Sequence, residues 1–208
     1  MSDHGAAPAA STGRRGHAGR PGRARQQLLE AAARLFYADG LAATGIDTIT
    51  AEAGVAKMSL YNNFASKADL VHAYLEARHE EWLALYRRRL ERAAGPRDRV
   101  LAVFDAYADH AALAYEHGFR GCGLLNAAAE LPAGDPGRAV VRAHKEEVEG
   151  LLAGHLEAMV PGGPEQARAI AEHLSFLLEG AVARAGLEGG DARLRHAREI
   201  ASGLLEAL

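Results

Sequence analysis

The chain holds a single cysteine, Cys122, so no disulfide framework can form within it, and a reducing compartment suits it. No apolar run approaches the roughly 18 residues that a membrane-spanning helix needs, so no membrane association is expected. The N-terminal stretch has arginines but lacks the apolar centre of a secretory leader, which leads us to expect a cytoplasmic protein. Nucleophile elbow, P-loop, zinc-type H-E-x-x-H pair and dinucleotide fingerprint are all missing. Neither catalysis nor a cofactor is therefore expected. With no second cysteine to resolve a sulfenate, Cys122 is expected to be buried and inert rather than a redox sensor.

What is present is uneven. The net charge of −3 hides a split. The first 67 residues hold eight Lys/Arg and five Asp/Glu, giving +3, and the remainder holds sixteen and twenty-two, giving −6. A basic end on an acidic body is the asymmetry expected when one end meets phosphate. Residues 1–22 are rich in Gly, Ala, Ser, Pro and Arg, cannot bury a core, and are expected to form a disordered basic arm. Arg20 and Arg23 flank its Pro-Gly and are candidates for a minor-groove or phosphate contact, although a merely solubilising tail has the same composition.

The most informative stretch is TGIDTITAEAGVAKMSLYNNFASKADL, from Thr44 to Leu70. Ile49 and Ala53 form a small apolar face on a first short helix, and Gly54 ends it, because glycine accepts the left-handed backbone of a sharp stop. Leu60 and Phe64, four apart, face the same way on a second short helix. Lys57, Ser59, Tyr61, Asn62 and Asn63 are left on its other faces. Ser66 and Asp69 give a start signal for a following helix. This pattern suits a helix-turn-helix whose second helix lies in the DNA major groove, and equally an ordinary helical corner.

The residues decide between the two. Ala32, Leu35, Phe36, Gly40, Thr48, Ile49, Ala53, Gly54, Val55, Leu60, Tyr61, Phe64, Lys67 and Leu70 stand where the DNA-binding domain of the TetR family of transcriptional regulators has like residues. The segment Leu28 to Leu70 resembles that domain closely. The resemblance implies an all-α fold of about nine helices. A helix-turn-helix domain is expected over residues 23–68, and a helical effector-binding and dimerisation domain over 69–208. It also implies a reading helix from Lys57 to Asn63. Lys57, Ser59 and Asn62 carry groups that suit base edges. Tyr61, Lys67, Thr48 and, more weakly, Thr44 are assigned to phosphate. Ile46, Met58 and the Asn62-Asn63 pair depart from the family pattern on or beside the reading surface, so the operator sequence stays unread.

Beyond the motif, apolar spacing predicts a long helix from Ser66 to Arg92, then helices over Arg97–His117, Leu124–Glu130, Arg138–Met159, Glu165–Ala185 and Asp191–Leu208. Arg87 to Arg89 read as a solvated face. Gly118, Gly121 and Gly123 read as a bend, since no strand precedes them to build a phosphate cradle. An unidentified small organic effector is expected in an apolar cavity. Its candidate lining is Trp82, Phe104, Tyr107, Tyr115, Phe119, Leu125, Asn126, His144, Leu151, His155, His173 and Phe176. His144 with Glu147 is too small a set for a metal, and none is expected. The resemblance pairs the last two helices with their two-fold mates, through Leu174, Leu178, Ala181, Ala185, Ala197, Ile200 and Leu204. The same stripes also suit the monomer's own core.

The expectation is thus a dimeric, ligand-responsive regulator of double-stranded DNA, most often a repressor in the resembled family. A helical adaptor for other proteins, or a small helical enzyme, are the competing classes. Filter binding with random duplex DNA separates them, because only the regulator binds with steep salt dependence.

Overall fold

The structure is a computed structural model that describes residues 21–113 and 118–208. Arg20 and Tyr115, and most of the basic arm, lie outside the described residues. Among those described there are nine α-helices and no strand. Helix α1 spans Pro21–Asp39, α2 Ile46–Glu52, α3 Lys57–Tyr61 and α4 Lys67–Leu90. Helix α5 spans Pro96–Ala111, α6 Gly123–Glu130, α7 Pro136–Leu156, α8 Gly163–Glu188 and α9 Ala192–Glu206. Helices α1, α5, α7 and α8 all begin on or beside a proline, whose fixed φ and missing N–H suit a first turn. Arg23 therefore sits in the first turns of α1, exposed, rather than in a flexible arm.

Apolar residues gather in two clusters. One joins Leu28, Ala32 and Phe36 of α1 to Ile49, Ala53, Leu60 and Phe64, and then to Leu70, Tyr74 and Leu75 of α4. It also takes in Leu124, Ala127 and Ala128 of α6 and Val141 of α7. The other fills the body with α5, α7, α8, α9 and the C-terminal half of α4. Helix α4 contributes to both, with Leu70 to Leu75 in one and Trp82 to Tyr86 in the other. At 1.5 Å per residue it is about 36 Å long, enough to run through both clusters. Its start is capped as the Ser-x-x-Asp signal predicts. Ser66 Oγ accepts from Asp69 N at 3.1 Å, and Asp69 Oδ2 accepts from Ala65 N at 3.1 Å.

The C-terminal stripes differ from their expected role. Leu174, Leu178 and Ala185 are buried inside the monomer on α8, which packs against α7 and α9, and Ala181 and Ala197 are nearly so. Ile200 and Leu204 do face outward, and Phe176 joins them at 64 % exposed. The α8 stripe was assigned one helical face away from the outer one: residues 174, 178, 181 and 185 are in helical register with each other, but that register is the core's.

No helix among the described residues is long and apolar enough to cross a membrane. Phe36 is 4 % exposed and meets Tyr74 edge-on at 5.4 Å, so it ties α1 to α4 inside a small core. Phe36→Ala should lower stability by about 3–5 kcal/mol, read as a fall in the thermal midpoint and in protection of the α1 amides.

Candidate nucleic-acid interface and the polar interior behind it

Helices α2 and α3 are short because each is anchored by few residues. Ile49 and Leu60 are fully buried and Ala53 and Phe64 nearly so, which pins one face of the pair to α1 and α4. Gly54, at φ +63, makes the corner between them, and Val55 N bonds back to Thr50 O at 3.1 Å. With that face pinned, the other must point out. Lys57, Met58, Tyr61 and Asn62 are exposed, and Ser59 and Asn63 partly so. Met58, at 69 %, is the most exposed of these large apolar side chains. Thr48 is exposed on α2. Lys57 pairs with Asp47 at 2.7 Å, and this carboxylate holds its ammonium further up than usual, so the charge is kept. Arg25 of α1 lies 4.9 Å above the Phe64 ring.

Two of the expected phosphate contacts are tied down internally. Thr44 is 2 % exposed, and its Oγ1 donates to Gly40 O at 2.7 Å, so its side chain closes the α1–α2 loop and does not reach the surface. Lys67 Nζ donates to Leu41 O at 2.6 Å and straps the same loop to the start of α4. Both are polar residues near the motif, and sequence alone does not say which way such residues turn.

The body grips this loop from the other side. Glu130, the last residue of α6, accepts from Leu41 N at 2.9 Å and from Ala42 N at 2.7 Å. Arg120 donates to Tyr37 O at 2.8 Å and also to Ala38 O, capping the C-terminal carbonyls of α1. Arg120 N in turn donates to the Tyr37 hydroxyl at 2.6 Å. Burial first, only partly offset by Arg120, holds that phenol up. Nothing in the spacing of Arg120 or Glu130 marked either one. An open cleft of about 530 Å³ lies beside this seam, lined by Leu41, Lys67, Val71, His72, Glu130 and Leu131 among others.

Inside the body, the expected lining separates. Trp82, Tyr107 and His144 do converge, with Trp82 and Tyr86 stacked at 5.4 Å and His144 edge-on to Trp82 at 5.4 Å. Phe104 and Phe119 are core, and Leu151 packs against that core partly buried. Asn126 donates to Arg120 O at 3.0 Å, and His155 bonds the Tyr86 hydroxyl at 2.6 Å. Leu125, His173 and Phe176 are exposed and line no interior space, because their helical registers turn them outward. The void beside Trp82, Tyr107, Cys122 and His144 is only about 10 Å³, not a roomy cavity. His144 bonds His79 at 2.9 Å and Tyr107 Oη at 3.3 Å. Burial, then the neighbouring Lys145 charge, pulls its pKa down to about 3. Lys145 pairs with Glu179 at 2.6 Å and reaches Cys122 Sγ at 3.6 Å.

The comparisons with known proteins settle the family. The family model described as "Bacterial regulatory proteins, tetR family" matches residues 28–74. A solved TetR-family transcriptional regulator from Streptomyces coelicolor, SCO4454, is 33% identical, with a TM-score of 0.79, over 89% of this chain and 96% of that one. The chain belongs to the TetR family. Among curated TetR-family relatives it is 37% identical over 89 residues to the transcriptional repressor KstR2 of Mycobacterium tuberculosis, which is 43% of this chain and 44% of that protein. It is 35% identical over 101 residues to the transcriptional activator FasR of Mycolicibacterium smegmatis, 49% of this chain and 44% of that one. The chain thus spans under half the length of the curated relatives it matches. A repressor and an activator both match, so the family by itself leaves the sign of regulation open.

The buried His144 of this TetR-family chain makes a pH prediction. Unfolded, a histidine titrates near 6.5. Folded, His144 does so near 3. Between the two values the unfolded chain binds the extra proton, so stability rises with pH there and is lost as pH falls from about 6.5 toward 3. Between pH 7 and pH 4.5 the loss from this one group should be on the order of 2–3 kcal/mol, and His144→Gln should flatten that limb in urea unfolding at the two pH values.

Proposed function

We infer that the chain is a ligand-responsive DNA-binding transcriptional regulator that acts as a homodimer in the cytoplasm, most simply as a repressor released by a small molecule. The observation that carries this reading is the exposed face of α3. Lys57, Tyr61 and Asn62 are turned outward because Leu60 and Phe64 are buried beneath them. A helix so presented suits a major groove, where the Asn62 amide matches an adenine edge and Lys57 a guanine edge or a phosphate. The Asp47–Lys57 pair does not oppose this. It is exposed on both sides, so it adds little stability and yields readily to a phosphate. Thr48 and Tyr61 are the phosphate contacts that the exposure supports. Arg23, exposed at the start of α1, and Arg20 are proposed to add positive charge toward the phosphates.

Two reading helices are needed for two half-sites about 34–36 Å apart. The outward face of α8 and α9 supports the pairing. Phe176, Ile200 and Leu204 are exposed there beside a groove of about 430 Å³ that runs past Gly180, Arg184 and His196. Glycine at position 180 permits close helix approach.

Fluorescence anisotropy with a labelled palindrome from the adjoining intergenic DNA, and with a random duplex, tests this directly. We expect tighter binding to the palindrome and a steep salt dependence for both. Equal and salt-insensitive affinities would sink the reading. Asn62→Ala should cost about 1–3 kcal/mol on the palindrome while leaving random-duplex binding nearly unchanged. Phe176→Glu should convert the dimer to monomer in sedimentation velocity and abolish the preference for paired half-sites.

A further inference from the structure

Cys122 stands at the N-cap of α6 and is partly exposed. Its Sγ lies 3.6 Å from Lys145 Nζ. Lys145 also pairs with Glu179 at 2.6 Å and sits 5.5 Å from the centre of the Tyr107 ring. Burial opposes its charge, but Tyr107, Cys122 and Glu179 together hold it protonated. A cation in contact with sulfur stabilises negative charge as it forms there, and the thiolate is the nucleophilic form.

A cysteine beside a lysine does not make a binding site. Trp82 adds a hydrogen-bond donor in the same place. It is 2 % exposed and lines the same small void as Cys122, Tyr107 and His144. Its Nε1–H is buried with no hydrogen-bond partner among the described residues. A buried donor left unpaired is costly, and it suits a ligand that brings an acceptor oxygen. A soft nucleophile, a neighbouring cation, aromatic walls and an unpaired donor thus meet in one place.

The geometry points to Cys122 as a covalent sensor of small α,β-unsaturated carbonyl compounds, an enone or quinone whose carbonyl oxygen accepts from Trp82 Nε1–H. Sulfur attacks the β-carbon. The C–S bond forms as the carbon–carbon π bond breaks, and the electron pair moves onto the carbonyl oxygen as an enolate. The thiol proton passes to water as the thiolate forms, and the α-carbon takes a proton from the Lys145 ammonium, which water then re-protonates. The net change is addition of S–H across the double bond, so no oxidant or reductant is needed.

The tightness of the site turns this addition into movement. A void of about 10 Å³ has room for one water and none for a ring. The start of α6 is wedged on several sides. A Cβ on Gly123 would stand 3.1 Å from the Tyr37 ring, and one on Gly186 of α8 would come within 2.5 Å of Gly121 N. Close-packed surroundings accept added atoms only by shifting backbone. The adduct therefore displaces α6, whose other end carries Glu130 and its two bonds to the α1–α2 loop. This last step rests on the regulator reading, but the thiol chemistry can be judged without it.

The test treats the full chain with 2-cyclohexen-1-one, with cyclohexanone as the saturated control. We expect one enone mass per chain, mapped to Cys122, and a changed emission from Trp82, the single tryptophan. Alkylation at neutral pH should be about tenfold faster than in Lys145→Met and faster than for free glutathione. Amide exchange at Leu41 and Ala42 should quicken, and affinity for the palindrome should fall about tenfold, a loss absent from Cys122→Ser. Equal rates in wild type and Lys145→Met overturn the assisted thiol. Should Lys145→Met fail to fold, a wild-type rate no faster than glutathione does the same. Full alkylation with unchanged exchange at Leu41 and Ala42 overturns the wedge. If the untreated chain ignores DNA altogether, the regulator reading falls, while the alkylation and exchange data still decide the sensor.

Discussion

The structure depends most on how the end of α1 is held. A helix C-terminus leaves carbonyls without partners, and the turn that follows leaves amides without partners. In this molecule the body supplies one of each charge. Arg120 meets the carbonyls of Tyr37 and Ala38, and Glu130 meets the amides of Leu41 and Ala42. Gly40, at φ +92, lies so close to the Glu130 carboxylate that a Cβ there would stand 2.6 Å from its Oε1. The α1–α2 loop can take this path only with glycine at position 40 and the carboxylate in place. Since α2 follows directly from the loop, the outward face of α3 inherits its orientation from a contact made by the body.

That seam joins two differently built interiors. Beneath α2 and α3 the packing is apolar and shallow, so the pose of the two short helices rests on a few residues such as Ile49 and Leu60. Behind α6 the interior is aromatic and polar. His79, His144, Tyr107, Lys145 and Glu179 are linked in sequence by contacts of 2.6 to 3.4 Å. Buried polar groups are stable only when paired, and removing one partner leaves another exposed to the low dielectric. Such a cluster is more easily rearranged as a whole than altered at one point. It lies against Cys122 at the start of α6, while the loop contact lies at that helix's end, about 12 Å away. Helix α6 is short and nearly rigid at that length, so movement at one end is felt at the other.

Much was legible in the chain itself. Repeated apolar spacing, helix starts such as Ser66-x-x-Asp69 and the Gly54 corner identified the helices and the motif, because these are local signals that hold in any context. What failed had a common cause. For Thr44, Leu125, His173 and Phe176, residue type does not say which way the side chain turns, because that depends on what packs against its helix. Along α8 the same helical period describes the core-facing and the outward stripe, and nothing in α8 alone distinguishes them.

The sequence by itself determined the all-helical architecture, the position of the helix-turn-helix and the resemblance to TetR-family regulators, since all three reside in short-range pattern. Only the tertiary structure decided that Arg120 and Glu130 clasp the α1–α2 loop, that Lys145 meets Cys122, and that Phe176 rather than Leu174 faces out. Those are meetings between residues 23 to 89 positions apart or choices between faces of one helix, and they exist only once the helices have packed.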